Sequence, residues 1–232
     1  MCGRFAMDKD TDDLIEEFVA VGGDFRDWRP GWNIRPTDPV VTIFEHAGAR
    51  RIELARWALT PGWSPTLKTK MPHFNARSEG ITEKPTFKTA IKSQRALIPA
   101  TGYYEWQTDP VSKKKTPYFI QPTDGLMMFA GLYSWWHDKT LPDDDPAAWA
   151  LTTTMLTADS VHTLEHIHDR NPVPLPPSWW ADWLNPAIEG DQSFVDAAVQ
   201  AAIPVADALE IVQIVAVTDE RPVPAPDARF HQ

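Results

Sequence analysis

Twenty-two of the 232 residues are proline, and they recur from Pro30 to Pro226. Each proline fixes φ and removes a backbone donor, so it breaks a helix interior and is confined to the edges or bulges of a sheet. This distribution argues against a helical bundle and for short strands joined by ordered loops. Strand-like runs fall at 39–44, 51–59, 96–99, 118–121, 127–134, 149–155 and 210–217. A helix is expected over 10–21, where Leu14, Ile15, Phe18 and Val19 form one apolar stripe that Gly22-Gly23 stops. Shorter helices are expected at 87–93, 160–166, 178–184 and 192–202. Helices and strands interleave without a regular βαβ period. The expectation is therefore an α+β fold in a single compact domain over 1–232. Its sheet is barrel-like and mostly antiparallel, its helices are peripheral, and a loose tail starts at about 222.

An apolar fraction of 43% suffices for a sizeable core. No apolar run approaches the ~18 residues of a membrane span, and no basic-then-apolar leader opens the chain. A soluble, cytoplasmic protein without a membrane partner is expected. The net charge of −10 argues against a nucleic-acid partner until its distribution is read. Residues 68–115 hold ten basic and four acidic groups, a net +6, whereas 116–232 hold four basic and 17 acidic groups, a net −13. A basic half beside an acidic half can present an electropositive groove; the competing reading is a set of solvated surface charges.

The single cysteine, Cys2, follows the initiator methionine directly in Met1-Cys2-Gly3-Arg4-Phe5. It excludes an internal disulfide framework and any cysteine-based zinc site, and it fits a reducing compartment. Trimming of Met1 would make Cys2 the N-terminus, with a thiol and a free α-amine on one two-carbon unit. The groups titrate at about 8.5 and about 7.7–8.0 when unperturbed, so part of the amine is nucleophilic at pH 7. A 1,2-aminothiol condenses with an aldehyde to an imine, and its sulfur then closes a thiazolidine ring. The bland alternative is a chance cysteine near a frayed end.

Three further stretches concentrate polar residues in loop-like or strand-end positions. Asn75 and Arg77 stand two apart, so in extended backbone they point the same way. An Asn amide can donate and accept together, and an Arg can clamp a phosphate. Glu105, between Tyr103-Tyr104 and Trp106, is a carboxylate in an aromatic surround and suits general acid/base work. His168 precedes Asp169-Arg170 and suits proton transfer. His162 and His166 have i, i+4 spacing, but Thr163 stands where a zincin has Glu, so no metal is expected. Trp57, Trp63 and Trp106 lie near the basic segment, and packing in the core outweighs stacking on bases for most of the tryptophans.

Taken in order, these stretches resemble the SRAP family (SOS response-associated peptidase, the abasic-site processing proteins). The resemblance also takes in Trp32-Asn33-Ile34-Arg35-Pro36-Thr37, Arg56–Gly62 with Trp63, residues 95–106 and His168-Asp169-Arg170-Asn171-Pro172. It departs at Asn171, where the family usually has methionine, and at Ala58, where it usually has glycine. The resemblance implies a barrel-like α+β domain that recognises abasic sites in single-stranded DNA and at single/double-strand junctions. It implies a thiazolidine cross-link between the processed N-terminal cysteine and the ring-opened sugar, with no cofactor and a monomeric protein. On the matching positions Cys2 is the nucleophile, Asn75 orients the sugar or the amine, and Glu105 and His168 move protons. Arg4, Arg77 and Arg170 would contact phosphate, and Trp63 a base. Three other readings fit parts of the same set. A cysteine peptidase or N-terminal-nucleophile hydrolase would use Asn75 as oxyanion donor. A plain single-strand-binding module would not require Cys2. A metal hydrolase would use His162, His166 and His168.

Overall fold

In a computed structural model of the protein, residues 2–9 and 28–226 are described. Twelve strands are present among them: β1 (Phe5–Met7), β2 (Gly31–Ile34), β3 (Pro39–His46), β4 (Ala49–Trp57), β5 (Asn75–Arg77), β6 (Arg95–Ala100), β7 (Gly102–Thr108), β8 (Lys115–Gln121), β9 (Met127–His137), β10 (Trp149–Asp159), β11 (Arg170–Pro172) and β12 (Glu210–Gln213). The α-helices are α1 (Ala90–Ser93), α2 (Pro177–Leu184) and α3 (Gln192–Asp207). The strands β4, β3, β6, β9 and β10 close a five-stranded barrel. Every seam of that ring is antiparallel except β10–β4, where Thr152 and Thr153 run parallel to Arg56 and Trp57. A second sheet, β12-β8-β7-β1-β2, packs beside it. The expected single α+β domain with a barrel-like sheet is the fold observed, and the alternating apolar residues of the long strands fill its interior.

The core places the start of the chain at the centre of the molecule. Phe5 is buried edge-on against Trp57, with ring centroids 5.0 Å apart, and also meets Phe129. β1 pairs with β7 through Phe5↔Tyr103, so the first residues are threaded between the sheet and the barrel. Arg95 is also buried; its guanidinium donates to the backbone carbonyls of Ile91, Lys92, Trp183, Asn185 and Ile188. It satisfies carbonyls around α1 and the end of α2 that would otherwise be orphaned. Burial lowers its pKa to about 10, which leaves it charged at neutral pH.

Several expectations are corrected. Residues 160–166 are not a helix: the segment curls through consecutive turns, with Leu164 N–H bonded to Val161 and Ile167 N–H to Leu164. Val161, Leu164 and Ile167 are thereby buried at three-residue intervals. The last helix continues past Pro204 to Asp207. The tail is not loose where it is described: Val215 N–H bonds to Val223 O at 3.0 Å and Ala225 N–H to Gln213 O at 2.9 Å. The helix expected over 10–21 lies outside the described residues. No described helix is long and apolar enough to cross a membrane.

Candidate active site

The chain start, β5 and β7 come together at Cys2, and the turns before His168 close a crevice beside Glu105 of β7. The chain enters along β1, where Tyr104 N–H bonds to Arg4 O at 3.0 Å and draws the residues before Arg4 alongside β7. β5 lies parallel to β10, with Asn75 opposite Met155, and carries Asn75 to the same place. Ala76 is buried beneath β5 while Arg77 is exposed, so Asn75 and Arg77 do share the outward face. The turns over 161–167 lead into His168.

Cys2 is fully buried, and its thiol donates to Arg4 O at 3.5 Å. Burial, reinforced by the Glu105 carboxylate, pushes this thiol far above its ordinary range. It is therefore a neutral S–H at physiological pH. Asn75 Nδ2 donates to the Cys2 carbonyl at 2.7 Å, which fixes the amide's orientation. Asn75 Oδ1 is then a buried acceptor with no hydrogen-bond partner. Glu105 is 4% exposed on the same face of β7 as Tyr103. The Tyr103 phenol is also pushed well up, first by burial and then by Cys2 and Glu105. Tyr103, Glu105 and His168 line one small crevice closed by Ile120, Leu164 and Ile167. Within it, His168 Nδ1 lies 3.0 Å from the Arg170 N–H and 2.7 Å from Asp169 Oδ1.

The remaining residues divide by placement. Trp63 is 65% exposed on the loop after β4. That loop is pinned by Thr60 N–H to Thr152 Oγ1 at 3.0 Å and by Trp136 Nε1 to Ser64 O at 2.8 Å. Trp57 is core, with its indole N–H on Phe74 O, and Trp106 packs half-buried against the second sheet. Arg4 is half-buried and donates to Asn33 Oδ1 at 2.7 Å, and Asn33 in turn donates to Asp219. Arg170, expected on phosphate, is instead an internal fastener. Its guanidinium forks onto Glu79 at 2.8 and 2.9 Å and also reaches Asp159 and Thr157 O. Burial works against the Glu79 carboxylate's ionisation, but the Arg170 bonds outweigh it and hold the group below its ordinary value. These bonds join the end of β5 to β10 and β11, so Arg170 shapes the loop that carries His168.

Sequence reasoning counted Arg95 and Lys84 in the basic groove. Arg95 is buried, and Lys84 Nζ is committed to the carbonyls of Arg77 and Glu79. It read Tyr103 only as part of an aromatic surround; the alternation of β7 beside Glu105 is the signal that marks it. Asn171 holds the turns before His168, its Oδ1 accepting Val161 N–H at 3.0 Å. Among the described residues no group of three or more His, Cys, Asp or Glu is placed to hold a metal, and His162 is exposed against Glu165.

The sequence matches the profile of a family described as SOS response associated peptidase (SRAP) over residues 1–218. It is 36% identical over 193 residues to the abasic site processing protein YoqW of Bacillus subtilis, covering 80% of this chain and 81% of that one. It is 29% identical over 197 residues to the abasic site processing protein YedK of Escherichia coli, covering 83% of each. A crystal structure of a Bacteroides thetaiotaomicron protein superposes with a TM-score of 0.75 over 92% of each chain at 21% identity, which is a likeness of fold. With the match spanning the barrel and the segments that carry Cys2, Asn75, Glu105 and His168, the chain belongs to the SRAP family.

Proposed function

We propose that this protein processes abasic sites in single-stranded DNA, including single/double-strand junctions. In this reading it forms a thiazolidine cross-link through Cys2 after loss of Met1, acting as a cytoplasmic monomer. The carrying observation is Asn75. Its Nδ2 is spent on the Cys2 carbonyl, and its Oδ1 is a buried, unfilled acceptor beside that residue. An acceptor there suits an N–H of the Cys2 α-amine and aims the nitrogen lone pair away from Asn75. A hydrolase would need a donor aimed at an oxyanion, whereas the Asn75 atom left without any partner is the acceptor Oδ1. A thiolate nucleophile is disfavoured as well, since burial keeps the thiol protonated.

The chemistry then runs in order. The closed sugar opens as one proton reaches O4′ and another leaves O1′; in this reading Glu105 and His168 exchange them. The amine adds to the C1′ aldehyde, and the carbinolamine takes a proton and expels water to leave an iminium. The sulfur attacks C1′ and its proton passes to Glu105, so the aldehyde and the aminothiol give thiazolidine and one water. C1′ is then saturated, which removes the electron sink that would drive β-elimination and strand cleavage. Trp63 supplies a stacking face for a base, and exposed Arg77 supplies charge for a phosphate.

The test incubates the purified protein with single-stranded DNA carrying one abasic site. A heat-stable adduct is expected from the wild type and at most a labile imine from Cys2→Ser. Intact mass is expected to show Met1 absent in the reactive species. An equal yield of stable adduct from Cys2→Ser, or adduct formed by chains that keep Met1, overturns the reading.

A further inference from the structure

The strand that bears Tyr103 and Glu105 continues into a hairpin that the site does not use. β7 and β8 stay paired to Thr108↔Lys115, and six residues, 109–114, close the turn. Their sequence, Asp-Pro-Val-Ser-Lys-Lys, runs into Lys115, so three consecutive lysines stand at the tip. The tip is built rather than frayed. Asp109 Oδ1 accepts from the Val111 N–H at 3.0 Å, the Ser112 N–H at 2.6 Å and the Ser112 hydroxyl at 2.9 Å. The backbone closes the loop twice, Asp109 N–H to Lys114 O at 2.9 Å and Lys113 N–H to Asp109 O at 3.0 Å. Lys113 takes up the left-handed conformation at φ 59°, which throws its side chain out of the hairpin plane.

The stem is fastened to the site. Gln107 Nε2 donates to His166 O at 2.9 Å, and Tyr118 Oη donates to Gln107 Oε1 at 3.3 Å. The hairpin is thereby held against the turns that carry His168. Lys113, Lys114 and Lys115 are all exposed, and among the described residues none is ion-paired with a carboxylate. Three adjacent unpaired lysines on a stiff tip repel each other, a cost that persists unless an anion neutralises it. Val111, 89% exposed at the apex, adds an apolar contact.

We propose that this hairpin tip is a phosphate-gripping arm for the DNA backbone flanking the abasic nucleotide. The proposal deepens the reading above and rests on it for the identity of the polyanion. Along β7, Glu105 and Thr108 are about 10 Å apart at ~3.4 Å per residue, so the lysines clear the reacting sugar and meet neighbouring nucleotides. The arm supplies register and encounter rate rather than chemistry, because lysine contacts to phosphate carry no base information.

The test uses the whole chain and DNA without any aldehyde. Fluorescence anisotropy measures Kd for an unmodified single-stranded oligonucleotide across a salt series. The triple variant Lys113→Gln/Lys114→Gln/Lys115→Gln is compared with wild type, with the charge-preserving triple Lys→Arg, and with Lys139→Gln as an exposed lysine outside the arm. Loss of two to three phosphate contacts is expected to reduce the slope of log K against log salt by about 1.4–2.1. The Arg triple and Lys139→Gln are expected to match wild type. At saturating abasic DNA the Gln triple is expected to reach the wild-type adduct yield, since the chemistry lies elsewhere. Wild type that binds DNA with the same slope as the Gln triple overturns the arm and leaves the abasic reading standing. Wild type that binds yet forms no adduct overturns the abasic reading and leaves the arm standing. A parallel arm with phosphatidylserine vesicles separates the two sources of phosphate: binding of wild type to vesicles and not to DNA, lost in the Gln triple, also overturns the proposal.

Discussion

Asn75 and Glu105 set the surroundings of Cys2. Asn75 donates one Nδ2 N–H to Cys2 O and keeps Oδ1 as a buried acceptor, which in the proposed function would receive an N–H of the Cys2 amine. Glu105 raises the cost of a thiolate at Cys2, and in the proposed reaction it would be the base for the proton that the sulfur loses. Replacement of Glu105 by the isosteric Gln is expected to slow single-turnover adduct formation by ~10²-fold or more. DNA affinity measured by anisotropy should stay within a factor of about two, since Glu105 is buried below the surface that DNA meets. Equal losses in both readouts would make Glu105 a positioning group only. Cys2, Asn75, Glu105 and His168 stand out in the sequence as candidates because each is an unusual residue in a short motif of fixed order; their roles are the proposal that these variants test. Arg170 was misread for the opposite reason. Whether an arginine faces solvent or is drawn inward by carboxylates depends on Glu79 and Asp159, residues 91 and 11 positions away.

The elements that build the site are the shortest ones. β1, β5 and β11 have three residues each, too few for a period-two pattern to register, and the sequence analysis assigned none of them as strands. They exist because neighbours supply ladders for them, β7 for β1 and β10 for both β5 and β11. The long barrel strands, by contrast, announced themselves to within a few residues. β7 starts at Gly102 for a steric reason: a Cβ there would lie 2.3 Å from Phe119 Cζ and 2.8 Å from Ile120 O on β8. Gly102→Ala is therefore expected to cost about 1–3 kcal/mol in urea unfolding. It should also slow adduct formation, because Tyr103 and Glu105 follow directly on the displaced strand. A variant with wild-type urea midpoint would mean that Phe119 swings aside at no cost.

At the scale of the molecule, the barrel and the second sheet hold acids that the unfolded chain would release. Burial raises the Cys2 thiol and the Tyr103, Tyr104 and Tyr133 phenols, the last to about 12, so the native state keeps protons that the unfolded state loses. For such groups stability is constant below the unfolded value and declines above it. The melting temperature is expected to fall from about pH 9.0 through Cys2 and more steeply above about pH 10.0 through the tyrosines. In Cys2→Ser the onset should move to the tyrosine range. A flat profile to pH 11 would contradict the buried, protonated thiol on which the order of amine first and sulfur second depends. The sequence by itself determined the class of fold, through prolines that argue against a helical bundle and alternation that requires sheets. It also determined the chemistry on offer, because an aminothiol, a carboxylate, an imidazole and an amide are properties of residue types in a fixed order. Only the tertiary structure decided which of those groups meet, which cations remain free and which hydrogen-bonding capacity is left unspent at Cys2. Burial and partnership are set by residues far apart in the chain, through barrel closure and the parallel seam of β10, and no local pattern carries that information.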